Sequence, residues 1–245
     1  MTAQELSGDQ RLPIYQRLAD VLRRDVTEGR LRPGDRVPSD NELSQTYQLA
    51  PGTVRKALDL LVSEELFERF HGRGTFVRRP SFDSSLFRFF RFRSSDGTSA
   101  VPEGRILRRV TENVPSYIAR QLKIEEGASA ISMSRLRLID DVPIIAEEIW
   151  LPLDRFEAFL DIPTGEVGNL LYPVYDEACG QLIAKAEETL TAEAASEQTA
   201  RLLRIETGTP VMMIDRLAKG YDGTPMEWRR SRGRADLFHY HTEIR

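Results

Sequence analysis

Arg135 and Arg137 stand two positions apart in Ser129–Leu138, a segment of strand-like alternation. Side chains two apart on a strand share a face, so the two guanidiniums converge and favour a phosphate, carboxylate or sulfonate. Ser132 and Ser134 have the opposite parity and belong to the other face. Glu147 falls on the neighbouring strand, and Glu227 and Arg234 lie near the last hairpin. Carboxylates facing the arginines could accept hydroxyls or an amine of the same ligand. The competing reading is a ladder of ion pairs on a solvated sheet face, where each pair is worth little.

A second cluster sits nearer the front. Gly52-Thr53-Val54-Arg55-Lys56 opens a helix. The first turn of such a helix fits the major groove of DNA and meets base edges. Thr53 can donate to a phosphate or touch a thymine methyl, and Arg55 can fork onto a guanine or grip phosphate. Further on, Gly72-Arg73-Gly74 can bring backbone close to the minor groove, with Arg73 drawn by its negative potential. Taken singly, each feature also reads as ordinary surface: a solvated arginine, a glycine turn.

Other chemistries find no residues. One cysteine, Cys179, excludes an intrachain disulfide and a Cys-rich zinc site; it follows Ala178 in an expected helix and reads as a small core residue. His239 and His241 share a strand face but have no cysteine partner nearby. No phosphate-binding glycine loop and no Gly-x-Ser-x-Gly elbow occurs. Neither a metal nor a cofactor is expected.

The elements that must position these residues follow from spacing. Ile14, Leu18, Val21, Leu22 and Val26 recur at helical intervals in Pro13–Glu28. Ser39 and Glu42 have capping-box spacing ahead of a helix over Asp40–Tyr47. Thr53–Glu65 is a third helix, with Val54, Ala57, Leu58 and Leu61 on one face, and Leu66–Phe70 with Thr75–Arg79 form a hairpin. Behind Pro80–Ser85, which has the composition of a linker, comes the aromatic-basic block Leu86–Arg93. Its phenylalanines read as anchors for the linker, and Arg88 or Arg91, the latter preferred, as completing the anion site. The rest alternates strand and helix. Strands are expected over Ile106–Val114, Ser129–Leu138, Pro143–Leu151, Leu182–Ala192, Val211–Ala218, Met226–Arg232 and Phe238–Ile244. Helices are expected over Ser116–Leu122 and Ser196–Ile205, with hairpin turns at Asp140-Asp141 and Asp222-Gly223. No short internal repeat stands out.

The 245 residues allow one large domain or two small ones, and 40% hydrophobic with 29% charged residues is ordinary for a globular chain. No apolar run reaches the roughly 18–20 residues of a membrane span, and the first residues lack the apolar core of a secretory signal. These features point to a cytoplasmic protein. Net charge is −4, but residues 1–79 carry 13 Lys+Arg against 12 Asp+Glu. Bulk charge alone does not argue for nucleic acid; basic groups at the front must be well placed rather than numerous.

The order of these motifs resembles a known family. Pro13-Ile14-Tyr15, Gly29–Asp35, Val37-Pro38-Ser39, Glu42-Leu43, Thr53–Leu58 and Gly72–Val77 resemble the winged-helix domain of the GntR family of bacterial transcription regulators. Arg135-Leu136-Arg137, Asp141-Val142-Pro143, Glu147 with Trp150-Leu151-Pro152, Asn169–Tyr172, Thr209-Pro210-Val211, Gly223-Thr224-Pro225 with Glu227, and Arg234 with Asp236 resemble the UTRA effector domain of its HutC subfamily. The resemblance implies an α+β chain. A winged helix-turn-helix domain spans 1–79, a linker and entry segment 80–102, and a UTRA domain 103–245, the last a chorismate-lyase-like antiparallel sheet with helices.

It further implies a homodimer on a palindromic double-stranded operator. Ser39, Asn41, Thr53, Arg55, Lys56, Gly72 and Arg73 are the candidate DNA contacts. Arg91, Arg135, Arg137, Glu147, Asn169, Tyr172, Glu227 and Arg234 are the candidates for a small anionic effector. Departures fall at Asn41, where the family often has arginine, and at Ala50-Pro51, where it often has Ser-Arg. Asn169 and Gly233 replace a usual serine and a frequent tyrosine, so the effector need not be a sugar phosphate. The expected function is a repressor released from its operator by a small anion. The alternatives are a chorismate-lyase-like enzyme fused to a DNA-binding module, and an architectural DNA-binding protein.

Overall fold

A computed structural model describes residues 11–79 and 102–237. The linker and the Leu86–Arg93 block with Arg91, as well as the strand expected over Phe238–Ile244 with His239 and His241, fall outside the described residues. The chain divides into two compact units near Pro80, with Tyr221–Gly223 grouped with the first.

In the first unit, α1 (Ile14–Thr27), α2 (Asp40–Tyr47) and α3 (Pro51–Ser63) precede a hairpin of β1 (Phe67–Phe70) and β2 (Gly74–Val77). Helix α1 buries Leu18, Ala19, Leu22 and Val26. Ile14, which the periodicity assigns to the same stripe, is 45% exposed, because it sits in the first turn beyond the reach of the core. Helix α2 starts at the expected capping box: the Ser39 hydroxyl accepts from the Glu42 N–H, and the Glu42 carboxylate accepts from the Ser39 N–H. Helix α3 starts two residues earlier than Thr53, with Pro51 at a position where no N–H is needed. Its stripe Val54, Ala57, Leu58 and Leu61 is wholly buried against α1 and the hairpin, and burying each large aliphatic side chain is worth about 1.5–3 kcal/mol.

The second unit holds β3 (Glu103–Asn113), α4 (Ser116–Leu122), β4 (Ser129–Ile139), β5 (Val142–Pro152), α5 (Leu153–Phe156) running into a 3-10 turn (Glu157–Asp161), α6 (Leu171–Cys179), β6 (Lys185–Ala194), α7 (Glu197–Leu203), β7 (Pro210–Lys219) and β8 (Pro225–Arg234). The six strands form one antiparallel sheet in the order β3-β4-β5-β8-β7-β6. Asp140 and Asp141 close the β4–β5 hairpin with φ of 48° and 61°, the left-handed pair that a two-residue hairpin turn needs.

The sheet repeats itself. The succession β3-α4-β4-β5 recurs as β6-α7-β7-β8, and the strand order is symmetric about the β5–β8 pair. Residues 81 positions apart match at Ala119/Ala200, Leu122/Leu203, Ile124/Ile205, Gly127/Gly208, Arg135/Arg216 and Leu136/Leu217. Both seven-residue helices end on a left-handed residue, Lys123 and Arg204, each with φ 55°.

One face of the sheet packs under α5, the 3-10 turn and α6 through Ile131, Met133, Ile149, Phe156, Phe159 and Tyr175. The other face carries α4 over Ala130, Trp150 and Trp228, and α7 over Leu136, Leu138, Ala146 and Val211.

Candidate nucleic-acid interface and buried charge cluster

The first unit brings its candidate DNA contacts to exposed positions. Arg55 and Lys56 project from the first two turns of α3; the Arg55 side chain is 66% exposed, with its Nε 3.6 Å from Asp40 Oδ2. Lys56 Nζ sits 4.1 Å from the centre of the Tyr15 ring, and the Arg73 guanidinium lies 5.5 Å over the Phe70 ring at the hairpin tip. Asn41 is exposed in the first turn of α2, Thr53 is half-buried, and Gly72 takes a φ of 72° with open space around it. Four other arginines of this unit are paired: Arg23 with Asp20 and Glu64, Arg30 with Asp25 and Glu28, Arg69 with Asp59, and Arg78 with Glu65. The Ser39 hydroxyl is already committed, donating to Glu42 Oε2 at 2.7 Å.

In the second unit, Arg135 and Arg137 lie on one face of β4, as their spacing requires, and both are buried. The register places Glu147 of β5 beside Arg135, and Glu227 and Arg229 of β8 continue the same face, with Arg216 opposite Arg229 on β7. All six are at most 4% exposed. Arg137 Nε donates to Glu147 Oε2 at 3.2 Å and its Nη1 to the Asn169 carbonyl at 2.9 Å. Arg229 bridges the two carboxylates: Nη1 reaches Glu147 Oε1 at 3.2 Å, while Nε and Nη2 reach Glu227 at 3.0 and 2.7 Å. Tyr172 and Tyr175 of α6 donate to the same Glu227 at 3.2 and 2.8 Å. Arg216 pairs with Glu188 and contacts the Tyr172 hydroxyl.

Arg135 is different. Its Nη2 donates to the carbonyls of Gly168 and Asn169 at 3.2 and 2.8 Å, but Nε and Nη1 are buried without an acceptor. Glu147 is the nearest carboxylate, 3.9 Å from Nη1. Burial, together with the neighbouring Arg137 and Arg229, pulls the Arg135 guanidinium down to about 10, with Glu147 opposing. Burial alone would push Glu147 up; Arg137, Arg229 and Arg135 overcome that and hold its carboxyl at about 2. Burial and Glu227 raise both tyrosines, Tyr175 well above its ordinary value.

Sequence reasoning grouped Arg135, Arg137, Glu147, Tyr172 and Glu227, and these do meet. Asn169 joins them through its backbone carbonyl, while its side chain accepts from the Gly104 N–H at 2.8 Å. Arg234 does not join. Strand alternation turns it to the other face of β8, where it pairs with Asp236. Arg216 and Arg229 were missed. For Arg229 a signal existed, since Glu227 and Arg229 are two apart and share a face. The carboxylates are also not open to a ligand as expected, because Arg229 and the tyrosines occupy them. A cavity of about 460 Å³ lies on the opposite face instead, lined by Ser132, Ser134, Glu148, Trp150, Thr199 and Arg232. No cluster of three metal-ligating side chains occurs among the described residues, and no described helix is long and apolar enough to cross a membrane.

Comparison with known proteins matches both units. The UTRA domain family matches residues 98–239, and the family of bacterial regulatory proteins called gntR matches residues 14–77. The chain is 28% identical over 228 residues to the HTH-type transcriptional repressor NagR of Bacillus subtilis, covering 93% of each. It is 26% identical to the mannosyl-D-glycerate transport/metabolism system repressor MngR of Escherichia coli, covering 93% of this chain and 94% of that one. Among solved structures, the ligand-binding domain of a GntR-family transcriptional regulator from Bordetella bronchiseptica superposes with a TM-score of 0.56 at 30% identity, covering 64% of this chain and 97% of that one. PhnF from Mycobacterium smegmatis shares the fold, with a TM-score of 0.55 at 23% identity over 93% of this chain and 98% of that one.

Proposed function

The chain belongs to the GntR family of bacterial regulatory proteins and carries a UTRA domain, and on that premise we propose that it represses transcription until a small anion binds beside Arg135. It is a DNA-binding transcription regulator. The relatives described above are regulators too, and the lyase alternative finds no support among them.

In this reading residues 1–79 dock on an operator half-site and residues 103–245 hold the effector, with 80–102 joining them. Arg55 and Lys56 enter the major groove at the start of α3, with Thr53, Ser39 and Asn41 at the helix N-termini and Arg73 with Gly72 at the minor groove. A homodimer in the cytoplasm presents two such heads to a palindrome. The effector favours a placement of the heads that no longer matches the operator, a coupling typically worth about 1–3 kcal/mol.

The observation that carries the effector half is the pair of buried Arg135 N–H groups without acceptors. A buried charged donor left unmade is costly, and an anion supplies what is missing. The test is operator binding by fluorescence anisotropy, titrated with carboxylates, phosphates and sulfonates. Release by at least one anion in the wild type, and by none in Arg135→Ala with operator affinity intact, is expected. An Arg135→Ala protein released as readily as wild type overturns the assignment.

A further inference from the structure

Of the two glutamates that a hydroxyl-rich or amino ligand would need, Glu227 is fully taken and Glu147 is held between two arginines. Glu227 Oε1 accepts from Tyr172 and from Arg229 Nε, and Oε2 accepts from Tyr175 and Arg229 Nη2. An ionised carboxylate has about four lone-pair sites, so Glu227 is saturated. Both oxygens of Glu147 face guanidiniums, Oε1 that of Arg229 and Oε2 that of Arg137. What is left over on this face is donor capacity: the Nε and Nη1 of Arg135. The charge points the same way. Arg135, Arg137, Arg216 and Arg229 are all buried, against Glu147 and Glu227, with Glu188 at 20% exposure offsetting Arg216. A buried positive excess remains, and buried charge is tolerated only when paired.

We infer that Arg229 closes Glu147 and Glu227 to ligand hydroxyls and amines, so that the site takes a small dicarboxylic or 2-oxo acid, rich in acceptors and poor in donors. This rests on the reading of the Arg135 cluster as the effector site. A polyol acid brings several hydroxyl donors to carboxylates that have only the remaining lone pairs of Glu147 to offer, between two guanidiniums, and each stranded donor weakens binding by roughly tenfold. An amino acid adds an ammonium to a site already in positive excess. A diacid or oxo acid meets the Arg135 donors and strands nothing.

The experiment uses the full chain on its operator with four matched probes: glutarate, 2-oxoglutarate, gluconate and glutamate. Glutarate or 2-oxoglutarate is expected to release the operator at concentrations at least tenfold lower than gluconate or glutamate. Gluconate or glutamate acting equally well or better overturns the inference. Arg229→Ser should bring the gluconate and glutarate midpoints to within threefold. Arg229→Lys, which keeps a charge but donates to fewer carboxylate sites, should fall between, and it serves if the serine variant unfolds. If glucose 6-phosphate releases the operator and none of the four probes does, the acid class is wrong while the effector site stands. If no anion acts at all, the effector site itself fails.

Discussion

Arg135 and Arg216 occupy equivalent positions in the two halves of the sheet, 81 residues apart and buried on one face, yet they are not equivalently satisfied. Arg216 has Glu188 and the Tyr172 hydroxyl as partners; Arg135 has two buried N–H atoms with none. A duplicated frame therefore carries one arginine tied into the scaffold and one left incomplete.

That asymmetry sets a stability ranking. Arg229→Met removes the counterion of two buried carboxylates and should cost about 3–5 kcal/mol, the usual result of orphaning a buried charge. Arg135→Met loses hydrogen bonds to two carbonyls but also removes two stranded donors, so its cost should stay within about 1 kcal/mol of zero. Urea unfolding of the two variants checks the ranking. Equal losses would mean that Arg135 is as fully paired in solution as Arg229.

Much of this was legible in the sequence, for local reasons. The Ser39/Glu42 capping box, the buried stripe of α3, the Asp140-Asp141 turn and the shared face of Arg135 and Arg137 each depend on spacing within a few residues. The missed features depend on distant ones. Arg216 and Arg229 meet Arg137 and Glu147 only because β8 pairs with β5, a partner far away in the chain, which no local pattern encodes. Asn169 acts through its carbonyl, a group every residue has. The sheet repeat spans too many residues, with too few shared side chains, to register as a period.

Gly104 gives the Arg135 guanidinium its resting place. A Cβ built there would fall 1.7 Å from Nη2. Gly104→Ala must push the guanidinium off the backbone of β3 and away from the carbonyls of Gly168 and Asn169. The variant should fold, since only the end of a side chain has to move. It should bind operator as wild type does and require at least tenfold more effector for release. An unchanged effector midpoint in the anisotropy titration would show that Arg135 does its work elsewhere.

Acid should find the same cluster. The Glu147 carboxyl is held at about 2 in the folded chain, below its ordinary 4.5. A depressed carboxylate contributes stability that is complete above its unfolded value and is lost as pH falls through the folded one. The window is therefore about pH 4.5 down to 2, with a contribution on the order of 3 kcal/mol at neutral pH. Glu147→Gln should be less stable than wild type at pH 7 and should converge with it near pH 2. Parallel stability curves across that window would remove Glu147 from the account.

At the other end of the chain, the placement of charge predicts how salt and sequence enter operator binding. Lys56 and Arg73 rest on aromatic rings, and Arg55 has one loose carboxylate contact to give up. Arg69 and Arg78 each have a carboxylate within 3.0 Å. Each phosphate contact made by Arg or Lys adds close to one counterion to the salt dependence. Lys56→Ala and Arg73→Ala should each lower the slope of log affinity against log salt by about one, while Arg69→Ala leaves it unchanged. Arg55→Ala divides two roles. A lost phosphate grip lowers the slope and weakens all duplexes alike, whereas a lost guanine contact costs about 1–3 kcal/mol on the operator and little on random DNA. Because the Arg55 side chain is 66% exposed and its contact to Asp40, at 3.6 Å, is loose, the second outcome is expected. Anisotropy on operator and scrambled duplexes at four salt concentrations separates the two, and an Arg55→Ala protein that binds both as wild type does would take Arg55 out of the interface.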